Sequence, residues 1–217
     1  MTRLLLADGP DNAETTLILA HGAGAPMDSD FMTALSDRIS GFGHRVVRFE
    51  FDYMAERRTT GRKRPPERAP ALLATWRAVI DAVAGPSGRP VVIGGKSMGG
   101  RMASLIAAED ADRVRGCVCL GYPFHPPGRP ERLRTEHFAD LHCPTLIVQG
   151  TRDPFGTHDE VQALALPDRA HLSWIEDGNH DLAPRKRSGL TVDQAWDQAA
   201  AAVDRFLRDL PAFHAGA

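Results

Sequence analysis

The sequence predicts an α/β fold: a mostly parallel central sheet of about six or seven strands, helices on both faces, and no large cap domain. Three observations carry this. Short apolar runs alternate along the chain with segments of helical spacing. Glycine-rich turns directly follow several of those runs, at 21–24, 94–100, 150–156 and 178. A chain of 217 residues, 42% hydrophobic and 25% charged, is long enough for one sheet covered on both sides, so residues 1–217 read as a single domain.

Each element follows from a local pattern. Thr16–Ala20 is a strand ending in His21-Gly22-Ala23-Gly24. The apolar spacing at 31, 32, 35 and 39 predicts a helix over Phe31–Ile39, closed by Gly41. Arg45–Phe51 reads as a strand, Ala71–Ala84 as a helix ended by Gly85, and Pro90–Ile93 as the next strand. Gly100–Ala108 suits a helix, and Val114–Leu120 and Thr145–Gln149 are buried strands. The capping box Thr157-x-x-Glu160 opens a helix over Asp159–Leu166. His171–Ile175 is the last strand, and a second box, Thr191-x-x-Gln194, announces a helix over Val192–Leu210. In a sheet of this kind the ligand crevice lies beyond the carboxyl ends of the strands.

The most informative stretch is Val91-Val-Ile-Gly-Gly-Lys-Ser-Met-Gly-Gly-Arg101. A β-branched run stops in Gly95-x-Ser97-x-Gly99, a turn that reverses a strand into a helix and presents the serine hydroxyl at the sheet edge. A phosphate loop is excluded, because its leading glycine position is occupied by Pro90. Two further post-strand loops hold Asp153 and His180. A serine hydroxyl is a poor nucleophile unless a base takes its proton, imidazole titrates in the right range, and a carboxylate fixes its tautomer. His180 fits the base and Asp153 the carboxylate. Asp177 and Asp181 flank His180 and remain alternatives, ranked lower because sequence neighbours seldom reach each other's ring nitrogens. The oxyanion donors are expected from the N–H of Met98 and from Ala23 or Gly24, with His21 supporting that loop. A glycine turn without chemistry, a turn-forming aspartate or an exposed histidine explains each motif singly. The order serine, aspartate, histidine on three separate loops is much harder to reach by accident.

Composition removes other classes. A net charge of −2 gives no global case for nucleic acid or an anionic membrane as partner. No stretch approaches a membrane span, and the start of the chain is too weakly apolar for a leader, so a cytoplasmic setting is expected. The three cysteines, Cys117, Cys119 and Cys143, read as reduced small hydrophobes, with no metal site and no cofactor.

The combination of His21-Gly22-Ala23-Gly24, Gly94-Gly-Lys-Ser-Met-Gly-Gly-Arg101, Gly150-Thr-Arg-Asp-Pro-Phe-Gly156 and Gly178-Asn-His-Asp-Leu182 resembles the α/β-hydrolase superfamily from about Thr16 to Leu210. Within it, the chain looks like a capless bacterial group related to dienelactone hydrolases and to the hydrolase-like domain of a eukaryotic chromatin-complex subunit. The resemblance implies a Ser97-Asp153-His180 triad acting on an ester or thioester through an acyl-enzyme. True dienelactone enzymes carry cysteine where this chain has Ser97, so lactone specificity is not implied. A serine peptidase and a non-catalytic interaction module on the same scaffold are the alternatives. The excursion Tyr122–Leu141 is too short for a helical cap. In the loop Glu56–Arg68, six of thirteen residues are basic; it is expected either to face water or to attract an anionic acyl substrate or partner. Lys96, Arg57, Arg58 and Tyr122 are the candidate substrate contacts.

Overall fold

The computed structural model describes residues 4–85, 90–110 and 112–211. In chain order the elements are β1 Leu5–Asp8, β2 Thr16–Ala20, α1 Asp30–Gly41, β3 Arg45–Phe49, α2 Asp52–Thr60, α3 Ala69–Ala84, β4 Val91–Lys96, α4 Met98–Glu109, β5 Val114–Leu120, β6 Thr145–Gly150, α5 His158–Gln162, β7 Ala170–Ile175 and α6 Val192–Asp209. Short 3-10 turns occupy Glu136–Asp140 and Lys186–Ser188. The strands form one seven-stranded sheet in the order β1-β3-β2-β4-β5-β6-β7. Among the described strands only the β1–β3 pairing is antiparallel.

The period-two alternation of strand side chains divides the core into two layers. Ile18, Ala20 and Ile93 face a layer built with α3 and α4, where Trp76, Ile80 and Ile106 are buried. Leu17, Leu19 and Val92 face the other layer, with Leu35 of α1 and Ala199 and Val203 of α6. Phe49 meets Trp76 edge-to-face at 4.7 Å, a contact that contributes about 0.5–1.5 kcal/mol beyond area burial. The order reverses between β2 and β4, so the crevice expected at a topological switch point opens beyond Ala20 and Lys96.

Four expectations need correction. β1 lies before the first expected strand; its four residues are only partly buried, so they carry no alternating signal. β4 continues to Lys96, because its glycines sit inside the ladder where backbones approach, and do not mark its end. α5 stops at Gln162 although the pattern runs to Leu166, since Leu166 precedes Pro167 and the residue before proline avoids the helical region. The basic segment from Glu56 is partly helical: α2 covers Asp52–Thr60, with Asp52 in its first turn, Arg57 and Arg58 in its last, and Gly61 as a left-handed cap at φ 69°. The excursion 122–141 carries only a 3-10 turn, so no large cap covers the sheet edge. No helix among the described residues is long and apolar enough to cross a membrane.

Candidate active site

Ser97 joins β4 to α4 at φ 51° and ψ −115°, a backbone conformation that a non-glycine residue holds only when its surroundings impose it. Its N–H donates to Leu120 O at 3.0 Å, and its carbonyl accepts from Arg101 N–H at 2.9 Å. The flanking glycines are required by close approach. A Cβ on Gly95 would lie 2.4 Å from Ala20 O, and one on Gly99 would lie 2.6 Å from both Ala20 O and His21 O. These positions press the elbow against the end of β2, bringing the 21–24 loop alongside. A Cβ on Gly22 would stand 3.7 Å from the Ser97 Cβ.

His180 reaches Ser97 from the loop after β7, with its Nε2 2.8 Å from Ser97 Oγ. Its Nδ1 lies 2.8 Å from Asp153 Oδ2, and Asp153 is fully buried. The carboxylate fixes the ring proton on Nδ1 and leaves the Nε2 lone pair to accept from the serine hydroxyl. Of the alternative carboxylates, Asp181 pairs with Lys96 Nζ at 3.2 Å. Asp177 accepts from Arg185 Nε at 2.8 Å and pairs with Arg152 at 2.9 Å. Those contacts, with Arg185 foremost, hold the Asp177 carboxyl well below the usual carboxylate range. Neither reaches the imidazole.

Sequence reasoning missed Gln149, at the end of β6 and fully buried. Its Oε1 accepts from Tyr122 N–H at 2.7 Å. Its amide donates to Asp153 Oδ2 at 3.0 Å, Tyr122 O at 3.2 Å and Gly156 O at 3.2 Å. The other Asp153 oxygen accepts from Phe155 N–H at 2.9 Å. The Phe155 ring lies 4.2 Å from the imidazole at 31°, so one loop both orients the carboxylate and stacks on the base. The signal available in the sequence was a lone amide in an apolar strand, which needs partners wherever it is buried.

Lys96, a candidate substrate contact, is 7% exposed and donates to the His180 carbonyl at 2.6 Å. Burial pulls its ammonium below the usual lysine range, against the opposing pull of Asp181. Lys96 therefore ties the strand bearing Ser97 to the loop bearing His180. Gly121, at φ 65°, gives them room: a Cβ there would sit 2.6 Å from the His180 carbonyl oxygen and 3.2 Å from Lys96 Nζ.

Tyr122 is fully buried, and its hydroxyl donates to Arg134 O at 2.7 Å; it has no surface to offer a substrate. Arg58 is likewise withdrawn from that role, because its guanidinium pairs with Glu50 at 2.6 Å and Asp28 at 2.6 Å. Arg57 donates to Gly24 O at 3.3 Å.

The 21–24 loop is anchored through its carbonyls. His21 Nδ1 bonds Gly22 O at 2.6 Å while its Nε2 accepts from Phe51 N–H at 3.2 Å, the pattern of a neutral imidazole, and burial lowers its pKa accordingly. Tyr53 Oη donates to Ala23 O at 3.0 Å. In a trans peptide the N–H points opposite to the C=O, so anchoring Gly22 O and Ala23 O inward turns the N–H groups of Ala23 and Gly24 the other way. Met98 is the first residue of α4, and its N–H has no partner within the helix. Among the described residues no cluster of three His, Cys, Asp or Glu side chains is arranged to hold a metal.

Residues 13–208 match the sequence profile of a family described as an alpha/beta hydrolase domain. Solved structures of similar fold include an alpha-beta serine hydrolase homologue from Coxiella burnetii, 19% identical, covering 94% of this chain and 90% of that one, TM-score 0.69. A dienelactone hydrolase from Anabaena variabilis is 19% identical over 95% of this chain and 92% of its own, TM-score 0.71. A serine hydrolase without lid from Xanthomonas campestris is 21% identical over 97% and 90%, TM-score 0.66.

Proposed function

This chain belongs to the alpha/beta hydrolase domain family, and on that footing we propose that it is a serine hydrolase cleaving an ester or thioester of a small acyl substrate. The observation that carries the reading is the continuous hydrogen-bonded line from Ser97 Oγ through His180 to the buried Asp153, with both contacts at 2.8 Å. His180 removes the Ser97 proton as Oγ attacks the scissile carbonyl. Asp153 stabilises the imidazolium that forms, and the N–H groups of Met98 and Ala23, with Gly24 beside it, receive the developing oxyanion. The imidazolium then protonates the departing alcohol or thiol. Water, deprotonated by the same ring, releases the acid from the acyl-enzyme. The reading includes a cytoplasmic setting, supported by three cysteines that are free and buried.

The test is labelling by a neutral fluorophosphonate, comparing the native chain with Ser97→Ala. The native protein is expected to label and to hydrolyse chromogenic esters, and the variant to lose labelling and about three or more orders of magnitude in turnover. Labelling that persists in Ser97→Ala moves the nucleophile elsewhere. Its absence from both proteins favours the non-catalytic module.

A further inference from the structure

Arg101 lies about one helical turn past Ser97, with its N–H on the Ser97 carbonyl at 2.9 Å, so its side chain starts about 6 Å along the axis from the nucleophile. Side chains on a helix lean toward its N-terminus, which here is the Ser97 end. The residue as a whole is half-buried, yet its Nε is shut off from solvent with no hydrogen-bond acceptor. Buried donors of this kind are uncommon, and each calls for a physical reason.

A second cation, Arg134, lies within electrostatic range of it. Arg134 is held in the excursion after β5 by its N–H on Phe124 O at 2.8 Å and by the Tyr122 hydroxyl on its carbonyl at 2.7 Å. Burial, and then the repulsion of Arg101, hold the Arg134 pKa below the usual range. Among the described residues neither guanidinium takes part in an ion pair, although ion pairs engage many of the other arginines, including Arg48, Arg58, Arg77, Arg113, Arg152 and Arg185. The nearby base, His137, does not relieve them: its Nε2 is bonded to Ser104 Oγ at 2.8 Å, and burial with the Arg101 charge keeps it neutral down to about pH 4. Glu67, whose Oε2 is also buried without a partner, acts on Tyr53 and reaches neither guanidinium at ion-pair distance.

We infer that Arg101 and Arg134 form an anion-binding subsite beside Ser97, which takes a carboxylate carried by the ester substrate. Two guanidiniums within range of each other's charge, with no counter-ion, repel each other and lose hydration. A planar carboxylate can pair with both guanidiniums at once and removes half of their excess positive charge. The subsite replaces the basic segment 56–68 as the source of any preference for anionic substrates. It rests on the serine-hydrolase reading for its substrate, but not for its ability to bind an anion.

The experiment compares 4-nitrophenyl butyrate with the 4-nitrophenyl half-ester of glutaric acid, as a ratio of kcat/KM values, in the native chain, Arg101→Gln, Arg134→Gln and Arg101→Lys. The native ratio is expected to favour the charged ester. Arg101→Gln is expected to lower the ratio at least tenfold, Arg134→Gln to lower it severalfold, and Arg101→Lys to restore part of it. A native ratio at or below one, or a ratio that none of the substitutions changes, overturns the subsite. If neither ester is hydrolysed, the hydrolase reading fails separately, and free glutarate decides the subsite by its effect on the melting temperature. A stabilisation present in the native chain and lost in Arg101→Gln sustains it; equal response or no response in both proteins refutes it.

Discussion

Replacing Gln149 by leucine removes every polar contact of a fully buried side chain while nearly conserving its volume. Four hydrogen bonds are lost, to Tyr122 N–H, Tyr122 O, Gly156 O and Asp153 Oδ2. Each group left unsatisfied in the interior costs about 1–3 kcal/mol. The losses share one site and are not additive, so the expected destabilisation is about 3–5 kcal/mol, read from urea unfolding. Asp153 keeps its bonds to Phe155 N–H and His180 but loses one of three constraints on its orientation. The expected fall in kcat/KM on a chromogenic ester is about tenfold to a hundredfold, the equivalent of one hydrogen bond to a charged acceptor. Gln149→Glu keeps the shape and sets a second carboxyl 3.0 Å from the Asp153 oxygen. The introduced group must hold a proton to donate, so its folded-state pKa is raised above the unfolded value. Stability relative to the native chain is then best retained at acid pH, below the unfolded glutamate value, and lost as pH rises through the folded one. A leucine variant within about 1 kcal/mol of native stability and twofold of native kcat/KM would refute the claim that Gln149 holds Asp153 in place.

Lys96→Met deletes a charge-assisted bond of 2.6 Å to the His180 carbonyl, so fluorophosphonate labelling of Ser97 is expected to slow about tenfold or more with the far-UV circular dichroism unchanged; labelling at the native rate would remove the positioning role. His137, held down to about 4 by burial and then by Arg101, binds its proton near 6.5 only when unfolded, so its contribution is whole above that value and lost as pH falls toward 4. Discounted for solvent screening, this is about 1–2 kcal/mol; His137→Asn should show a shallower loss of stability between pH 7 and 4.5, and parallel curves would sink the assignment. The thiols of Cys117, raised first by its contact with Cys119 and then by burial, and of Cys143, pushed up to about 12 by burial, are expected to react with a thiol-specific disulfide reagent only on unfolding; fast titration of either in the native protein would contradict this packing.

What the sequence makes legible, and what it conceals, has a physical pattern. β2 and β5 are visible because strands buried on both faces read as near-continuous apolar runs, whereas β7, on the other edge, shows through its alternation of apolar and polar residues. β1, lying antiparallel on the edge, is partly exposed, and its apolar run, Leu4–Ala7, is too short to identify it as a strand. The three loops that converge on the site are equally plain, since sharp post-strand turns require glycine wherever backbones touch, as at Gly95 and Gly99. Side chains of ambiguous type are where composition misleads. Arg58 looks like a free surface cation, but Glu50 and Asp28, many residues away, bind it. Arg101 looks like an ordinary helix residue, but no acidic partner reaches it among the described residues. A basic cluster in sequence therefore says little about charge available to a ligand. That depends on which cations the fold has already neutralised, and here the fold neutralises Arg58 on α2 and leaves Arg101 and Arg134, 33 positions apart in the chain, without an ion-pair partner among the described residues.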